Sequence, residues 1–433
     1  MVALAILSIS LAKNFVAQWF SHGRQLVCHA TLGQTGFFLV LMTNLVIQTR
    51  RKYQGKAIFL VPDPPSIVFS NSPLILSINQ SMEVFVSGVQ TLSETGATHV
   101  PSQYIQPPQN RPHQPTITSS SDSLNIPIID LSNFNPQHSN DVRTELGRAC
   151  SDWGAFQITN HGISNSLIKD MIDVGLTFFN ECSITEKSKY SCDPNSAASE
   201  GYGSRMLVKE DSVLDWRDYF DHHTFPLSRR NPNRWPDFPT NYRGVVEEYS
   251  NQIKELALKL MSMISESLGL QSSCIEDIVG EVYQNITISY YPPCPQPELT
   301  LGLQSHSDIG AITLLIQDDV GGLEVLKDDK WVTVQPVSDA IVVILADQIE
   351  IMTNGKYRSA VHRAVTNSHR ARLSVGTFHD PGKIRKIAPA AQLVDKDTLA
   401  RYKEVVYGEY VSNWYSKGPE GKRNIDSLLL NQQ

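Results

Sequence analysis

Three side chains able to share a metal ion stand in the C-terminal half of this 433-residue chain. His306 and Asp308 are two positions apart, and in an extended segment residues i and i+2 point to the same face, so an imidazole and a carboxylate can address one ion. His-x-Asp recurs often by chance, so alone it is a weak signal. A third ligand must come from elsewhere, and His362 lies in a run of strand type, Tyr357-Arg358-Ser359-Ala360-Val361-His362-Arg363. Further on, Arg372 and Ser374 share a face of another such run, Arg372-Leu373-Ser374-Val375. The rigid fork of an arginine matches a carboxylate in bidentate fashion and a neighbouring serine adds one donor, which makes a candidate anion grip. An isolated arginine is better read as half of a surface salt bridge; the three candidate ligands reverse that reading.

Two histidines and one carboxylate on one side of an iron ion leave three coordination positions open, the arrangement of iron(II) oxygenases. A 2-oxo acid can chelate through carboxylate and ketone, dioxygen can take the last position, and the far carboxylate of 2-oxoglutarate needs a cation such as Arg372. Zinc hydrolases use a similar ligand set, but the chain has no His-Glu-x-x-His and no evident general base beside the ligands. The remaining histidines take structural assignments. His369 falls in a polar loop, His379 beyond the arginine strand, His161 at a strand end, and His222 and His223 at the surface or a domain contact.

The length allows one sizeable core or two ordinary domains, so a buried metal pocket is feasible. With 41% hydrophobic and 19% charged residues the chain is neither wholly disordered nor a multi-span membrane protein. A net charge of −7 with scattered Lys and Arg argues against nucleic acid as a partner; the small-molecule substrate expected comes from the oxygenase chemistry of the site. The six cysteines, Cys28, Cys150, Cys182, Cys192, Cys274 and Cys294, include no Cys-x-x-Cys pair, which points to a reducing compartment, the cytoplasm, rather than a disulfide framework.

The elements that must position these groups change type along the chain. Val142, Leu146, Ala149, Cys150 and Trp153 keep helical spacing. A second helix starts with Ser164 as N-cap, burying Leu167, Ile168, Met171, Ile172, Phe178 and Phe179, and a third runs from about Val245 to a stop at Gly269. After residue 280 come short Val-, Ile-, Leu- and Thr-rich runs between turn residues, the pattern of a β-sandwich or barrel: Ile312 to Ile316, Leu323 to Leu326, Trp331 to Val334, Ile341 to Leu345.

Residues 1–81 differ in character. They carry +5, against −12 for the remainder. The apolar run Phe37 to Ile47 is about half of the roughly 20 residues a membrane helix needs, though Arg50-Arg51-Lys52 follows it. Val2 to Ala12 has no basic residue before it, unlike a secretory signal. The expectation is an extension outside the catalytic fold, produced by a misplaced start ahead of Met82; a targeting segment or marginal anchor is the rival. Residues 82–125, with the Pro- and Gln-rich stretch Pro101 to Pro115, read as a linker.

With these residues in place, the chain resembles the plant 2-oxoglutarate- and iron(II)-dependent dioxygenases, the family of flavonoid, gibberellin and alkaloid oxygenases. The likeness runs from Ile126 to Leu430 through Ile126-Pro127-Ile128-Ile129-Asp130-Leu131, Trp153-Gly154-Ala155-Phe156, Asn160-His161-Gly162, Tyr290-Tyr291-Pro292-Pro293-Cys294-Pro295, His306-Ser307-Asp308, Gly321-Gly322-Leu323, Asn354-Gly355, His362-Arg363 and Arg372-Leu373-Ser374. The resemblance implies a mainly β fold with helices, a double-stranded β-helix (jelly roll) over 271–390, an N-terminal helical region over 126–270 packed around it, and a C-terminal helical segment over 391–433. It implies iron(II), 2-oxoglutarate and O2, with ascorbate supporting activity, and release of succinate and carbon dioxide. Tyr291 is similar to the tyrosine that contacts 2-oxoglutarate, and Phe378 to a pocket aromatic of flavonoid-oxidising relatives. Where the family usually has Asn-Tyr-Tyr-Pro, this chain has Ser289-Tyr290-Tyr291-Pro292, which predicts a polar contact near the cosubstrate that is shortened or replaced by water. The implied substrate is a phenolic or flavonoid-like plant metabolite, hydroxylated by default, with a gibberellin- or salicylate-type hormone second and a non-catalytic β-barrel binding protein behind both. A monomer without stable membrane association is expected.

Overall fold

The computed structural model describes residues 17–22, 25–30, 88–112, 125–132, 140–193, 200–204, 213–417 and 423–430. The chain divides into two units, Met1–Phe85 and Val86–Gln433. In the first, β1 (Ala17–His22) and β2 (Gln25–Ala30) pair antiparallel. The apolar runs Val2 to Ala12 and Phe37 to Ile47 lie outside the described residues. Among the described residues no helix is long and apolar enough to cross a membrane.

The second unit opens with a short helix, α1 (Gly88–Glu94), followed by β3 (Ile128–Asp130), α2 (Asn140–Asp152), β4 (Ala155–Thr159), α3 (Asn165–Glu181) and α4 (Ile184–Ser188). Next come β5 (Gly201–Gly203), β6 (Asp218–Phe225), the long α5 (Tyr242–Ser267) and α6 (Cys274–Val279). Strands then dominate: β7 (Tyr283–Tyr291), β8 (Leu303–His306), β9 (Ile312–Gln317), β10 (Leu323–Lys327), β11 (Lys330–Thr333), β12 (Ile341–Leu345), β13 (His362–Ala364) and β14 (Arg372–Asp380), with α7 (Asp347–Met352) between β12 and β13. The small pair β15 (Lys386–Ile387) and β16 (Val405–Val406) and the helices α8 (Tyr407–Lys417) and α9 (Arg423–Asp426) follow.

The helices form where capping and periodicity agree. Ser164 Oγ accepts from Leu167 N at 3.3 Å and closes the first turn of α3, and Leu167, Ile168, Met171, Val174, Phe178 and Phe179 are buried as one stripe. Gly269 takes φ +74° just past α5, where a left-handed residue ends the helix. Gly175 of α3 lies so near the sheet that an added Cβ would meet Ile288 and Leu373 at 3.1 Å, so the helix packs on the outer faces of β7 and β14.

Eight strands form one sheet in the order β3-β4-β12-β9-β14-β7-β6-β5, and four form a second in the order β11-β10-β13-β8. These are the sheets of a double-stranded β-helix with helices around it. The region 126–270, expected to be helical and packed around the β-helix, also supplies β3, β4, β5 and β6 to the larger sheet, because the apolar run after Trp153-Gly154 is too short for a helix and pairs with β12.

Residues 88–112, expected as linker, are packed onto the rest of the second unit. Asp218 accepts from Val89 N at 2.7 Å and Gln90 N at 2.9 Å, Tyr104 stands edge-on to Trp216 with centroids 5.2 Å apart, and Gln106 N donates to Leu299 O at 2.8 Å. The stretch holds α1 and two 3-10 turns, Ser102–Tyr104 and Pro108–Asn110, and its apolar residues Val100 and Tyr104 have a partner surface to cover.

Candidate functional site

The two histidines meet because β8 and β13 are neighbours: in their antiparallel register His362 lies directly opposite His306. The ring centroids are 4.3 Å apart. Asp308 was expected to share an extended strand with His306; instead β8 ends at His306 and Asp308 projects from the loop beyond it. That loop is fixed by the start of α7, where Asp347 N donates to Asp308 O and Gln348 N to Gly310 O, both at 2.9 Å. Asp308 Oδ1 then stands 3.5 Å from His306 Nε2 and 3.8 Å from His362 Nε2, and the candidate ligand atoms of the three residues lie within 4.8 Å of one another.

Hydrogen bonding leaves one donor atom per residue facing inward. A backbone carbonyl can only accept, so His306 Nδ1–H donates to Gln304 O at 2.8 Å and His362 Nδ1–H to Ala360 O at 3.1 Å, which puts the lone pair of each ring on Nε2. Thr313 Oγ1 donates to Asp308 Oδ2 at 2.6 Å and leaves Oδ1 for an ion. Burial opposes a charge on Asp308, but the two imidazoles and the threonine hydroxyl outweigh it and hold its carboxyl at about 2. Burial and the nearby His306 push His362 down to about 4, so this ring is neutral at pH 7. Burial opposes a charge on His306, but Asp308 and Gln304 O raise its pKa, so a cation there takes the place of a proton; two imidazole nitrogens and one carboxylate oxygen fit a divalent transition metal such as iron.

One wall of the same cavity, of about 390 Å³, is written in the period of two. Along β14 Arg372, Ser374, Gly376, Phe378 and Asp380 face it, and along β7 Tyr283, Asn285, Thr287, Ser289 and Tyr291 do. Register sets Arg372 opposite Tyr291 and Ser374 opposite Ser289. Arg372, only 2% exposed, has its guanidinium over the Tyr291 ring at 4.9 Å and donates to Ser374 Oγ at 3.3 Å and Gln317 Oε1 at 3.0 Å. Its Nε and Gln317 Nε2 are buried with no acceptor among the described residues, so an anion's oxygens suit this place. Gly322, at φ +114°, lets the chain pass here: an added Cβ would crowd Val365 O at 2.9 Å and Arg372 Cδ at 3.4 Å.

Thus His306, Asp308, His362, Arg372, Ser374, Tyr291 and Phe378 all line one cavity. Other assignments change. His379 lies inside β14 and not beyond it, and alternation turns it into the core, where it is fully buried. His222 is likewise fully buried, with Nδ1–H donated to Ile286 O at 2.9 Å and Nε2 3.0 Å from Tyr242 Oη, and His223 lines the cavity; β6 is an inner strand of the large sheet, not a surface segment. Arg217, Asp221 and Asp380 also face the cavity and were not singled out from sequence. Asp380 was within reach, since it continues the alternation of Arg372, Ser374 and Phe378; Arg217 precedes β6 and carries no comparable signal.

Comparison with known proteins gives consistent findings. The family described as the 2OG-Fe(II) oxygenase superfamily matches residues 283–381, and the non-haem dioxygenase in morphine synthesis N-terminal region matches 126–238. Jasmonate-induced oxygenase 4 of Arabidopsis thaliana is 40% identical, covering 80% of this chain and 97% of its own. Flavanone 3-dioxygenase 2 of Oryza sativa subsp. japonica is 38% identical over 78% of this chain and 94% of its own. Among solved structures, JOX2 in complex with 2OG, Fe and JA superposes with a TM-score of 0.73 at 35% identity, covering 80% of this chain and 98% of that one.

Proposed function

The chain belongs to the 2OG-Fe(II) oxygenase superfamily, and from that membership we propose that it hydroxylates a small phenolic, flavonoid-like plant metabolite with release of succinate and carbon dioxide. It is an oxidoreductase, a 2-oxoglutarate-dependent dioxygenase. The observation that carries the reading is the convergence of His306, Asp308 and His362 with Arg372 in one buried cavity.

His306 and His362 through Nε2 and Asp308 through Oδ1 are the residues assigned to hold iron(II), which when bound activates dioxygen for the oxidation. Arg372 and Ser374, with Tyr291 beside them, are assigned to the far carboxylate of 2-oxoglutarate, the fork supplying two directed donors and the serine a third. Burial of this wall excludes water and strengthens each charged contact. Phe378 lies on the same strand face toward the other end of the cavity, which Tyr283, Trp414 and Tyr415 also line, an aromatic surface suited to a flat ring. The half-buried carboxyls of Asp221 and Asp380 at this end can bind phenolic hydroxyls. Ascorbate is taken as the supporting reductant, and a cytoplasmic monomer as the working form.

A second reading, a carboxylate-bearing hormone of salicylate or gibberellin type, is favoured by the basic residues Arg229 and Lys383 on the cavity wall. The test is a screen of succinate formation by the protein reconstituted anaerobically with iron(II), against flavanones, simple phenols, salicylate, jasmonate and gibberellins. Acceleration by phenols with a hydroxylated product supports the first reading. Acceleration by the acids alone replaces it with the second, and 2-oxoglutarate turnover with none of the panel or in its absence counts against both.

A further inference from the structure

A second arginine enters the cavity from the strand edge opposite Arg372. Arg217, 4% exposed, lies just before β6 and donates from Nη1 to Ser289 Oγ at 2.9 Å. Ser289 is the cross-strand partner of Ser374, and Tyr291 that of Arg372. Two guanidinium groups therefore approach the Ser289, Tyr291, Ser374 patch from its two sides. Both act on the Tyr291 phenol: against burial, which pushes it up, Arg217 and Arg372 hold it below its usual range.

The Arg217 side is the one that leads to the metal-ligand candidates. Asp215 Oδ2 lies 3.9 Å from Arg217 Nε, Asp215 Oδ1 accepts from Gln304 N at 3.0 Å and Gln304 Nε2 at 3.2 Å, and Gln304 O receives the His306 Nδ1–H. Ser289 is also the position at which the chain departs from Asn-Tyr-Tyr-Pro. A serine side chain is shorter than an asparagine side chain, and here a guanidinium nitrogen reaches its hydroxyl.

We propose that Arg217, acting with Ser289, is a specificity-determining residue of the cosubstrate pocket: it contacts the 2-oxo acid end of 2-oxoglutarate, the end nearer the metal, while Arg372 reads the far carboxylate. The proposal rests on the 2-oxoglutarate reading of the site. It predicts a division of labour between the two arginines that a probe lacking one carboxylate exposes.

The test is calorimetric titration of the full chain loaded with Mn(II), without primary substrate, using 2-oxoglutarate and 2-oxobutyrate, which keeps the 2-oxo acid end and lacks the far carboxylate. Arg217→Gln should weaken both ligands by about tenfold or more, as expected for a lost hydrogen bond to a charged group, whereas Arg372→Leu should weaken 2-oxoglutarate alone. Adding Ser289→Asn to Arg217→Gln should restore much of the loss for both, which a merely structural role would not. Arg217→Lys, which keeps the charge and loses the fork, should be intermediate and serves if the glutamine variant does not fold. Parent-like binding of both ligands by the position-217 variants, weakening confined to 2-oxoglutarate, or loss of Mn(II) affinity without rescue would overturn the assignment. A parent that binds neither ligand would instead overturn the cosubstrate reading on which it rests.

Discussion

Thr313 donates its hydroxyl to Asp308 Oδ2 at 2.6 Å, and this bond decides which carboxylate oxygen faces the two imidazoles. Thr313 lies on β9 and is 3% exposed, so it can be held in one rotamer by packing. Asp308 itself stands in a loop, and without this anchor its carboxylate is free to rotate or to bind an ion through both oxygens.

Thr313→Val conserves shape and removes the donor. Metal affinity should fall by roughly 10- to 100-fold, the range for outer partners of metal ligands, while folding is kept. Thr313→Ser should stay near the parent. Titration with Fe(II) or Mn(II) under anaerobic conditions reads this, with His306→Ala, Asp308→Ala and His362→Ala as references that lose iron-dependent turnover. Parent-like affinity in the valine variant would remove Thr313 from the site.

Arg372→Leu should raise the apparent KM for 2-oxoglutarate steeply. Truncating one partner of a buried charge-assisted pair costs on the order of 2 to 5 kcal/mol, part of it the unpaired ligand carboxylate. Ser374→Ala loses one hydrogen bond and should cost about 1 kcal/mol. Equal dependence on 2-oxoglutarate in the parent and Arg372→Leu would contradict the anion grip.

The site was legible in sequence where chemistry and strand period coincide. His306, His362, Arg372 and Ser374 stand in strands, and the alternation of Arg372 and Ser374 along β14 continues to Phe378 and Asp380. Asp308 was reached by the wrong geometry, since α7 and not the strand pleat holds it. Arg217 and Thr313 were not legible: one donates to Ser289 and the other to Asp308, and both contacts depend on tertiary pairing that local periodicity does not encode. His222 was misplaced because a histidine in a polar run, Asp221-His222-His223-Thr224, looks exposed until β6 is known to be internal.

Burial pushes the His222 imidazole down to about 3, and this carries a pH dependence. The unfolded chain binds a proton at the usual value of about 6.5 while the folded chain does not, so stability is complete above that value and is lost as pH falls toward 3. At pH 5 the loss from one such histidine is about 2 kcal/mol relative to pH 7. His222→Gln should be less stable than the metal-free parent at pH 7, with the difference narrowing at pH 5. Urea midpoints at the two pH values read this, and a gap that stays constant would show that His222 does not titrate on unfolding.

The last prediction concerns the N-terminal boundary of the working enzyme. Asp218 is fully buried, and two of its donors are Val89 N and Gln90 N at the start of α1; Tyr202 and Ser204 supply the others, at 3.2 and 2.6 Å. Val89, Val100 and Tyr104 also cover Trp216, which precedes Arg217 on the approach to β6. A chain shortened to begin at Met82 keeps all of these contacts and should fold and turn over as the full chain does. A chain shortened to begin at residue 113 leaves Asp218 short of two donors, at about 1.5 to 3 kcal/mol for each bond to a charged group, and exposes the Trp216 cluster. It should be less stable and should bind 2-oxoglutarate weakly, because the segment that positions Arg217 loses its cover. Thermal melts and calorimetric titration of the two shortened chains distinguish the outcomes. Loss of turnover in the chain from Met82, with its fold intact, would mean that residues 1–81 belong to the working enzyme; parent-like stability in the chain from 113 would mean that α1 and the segment after it are dispensable.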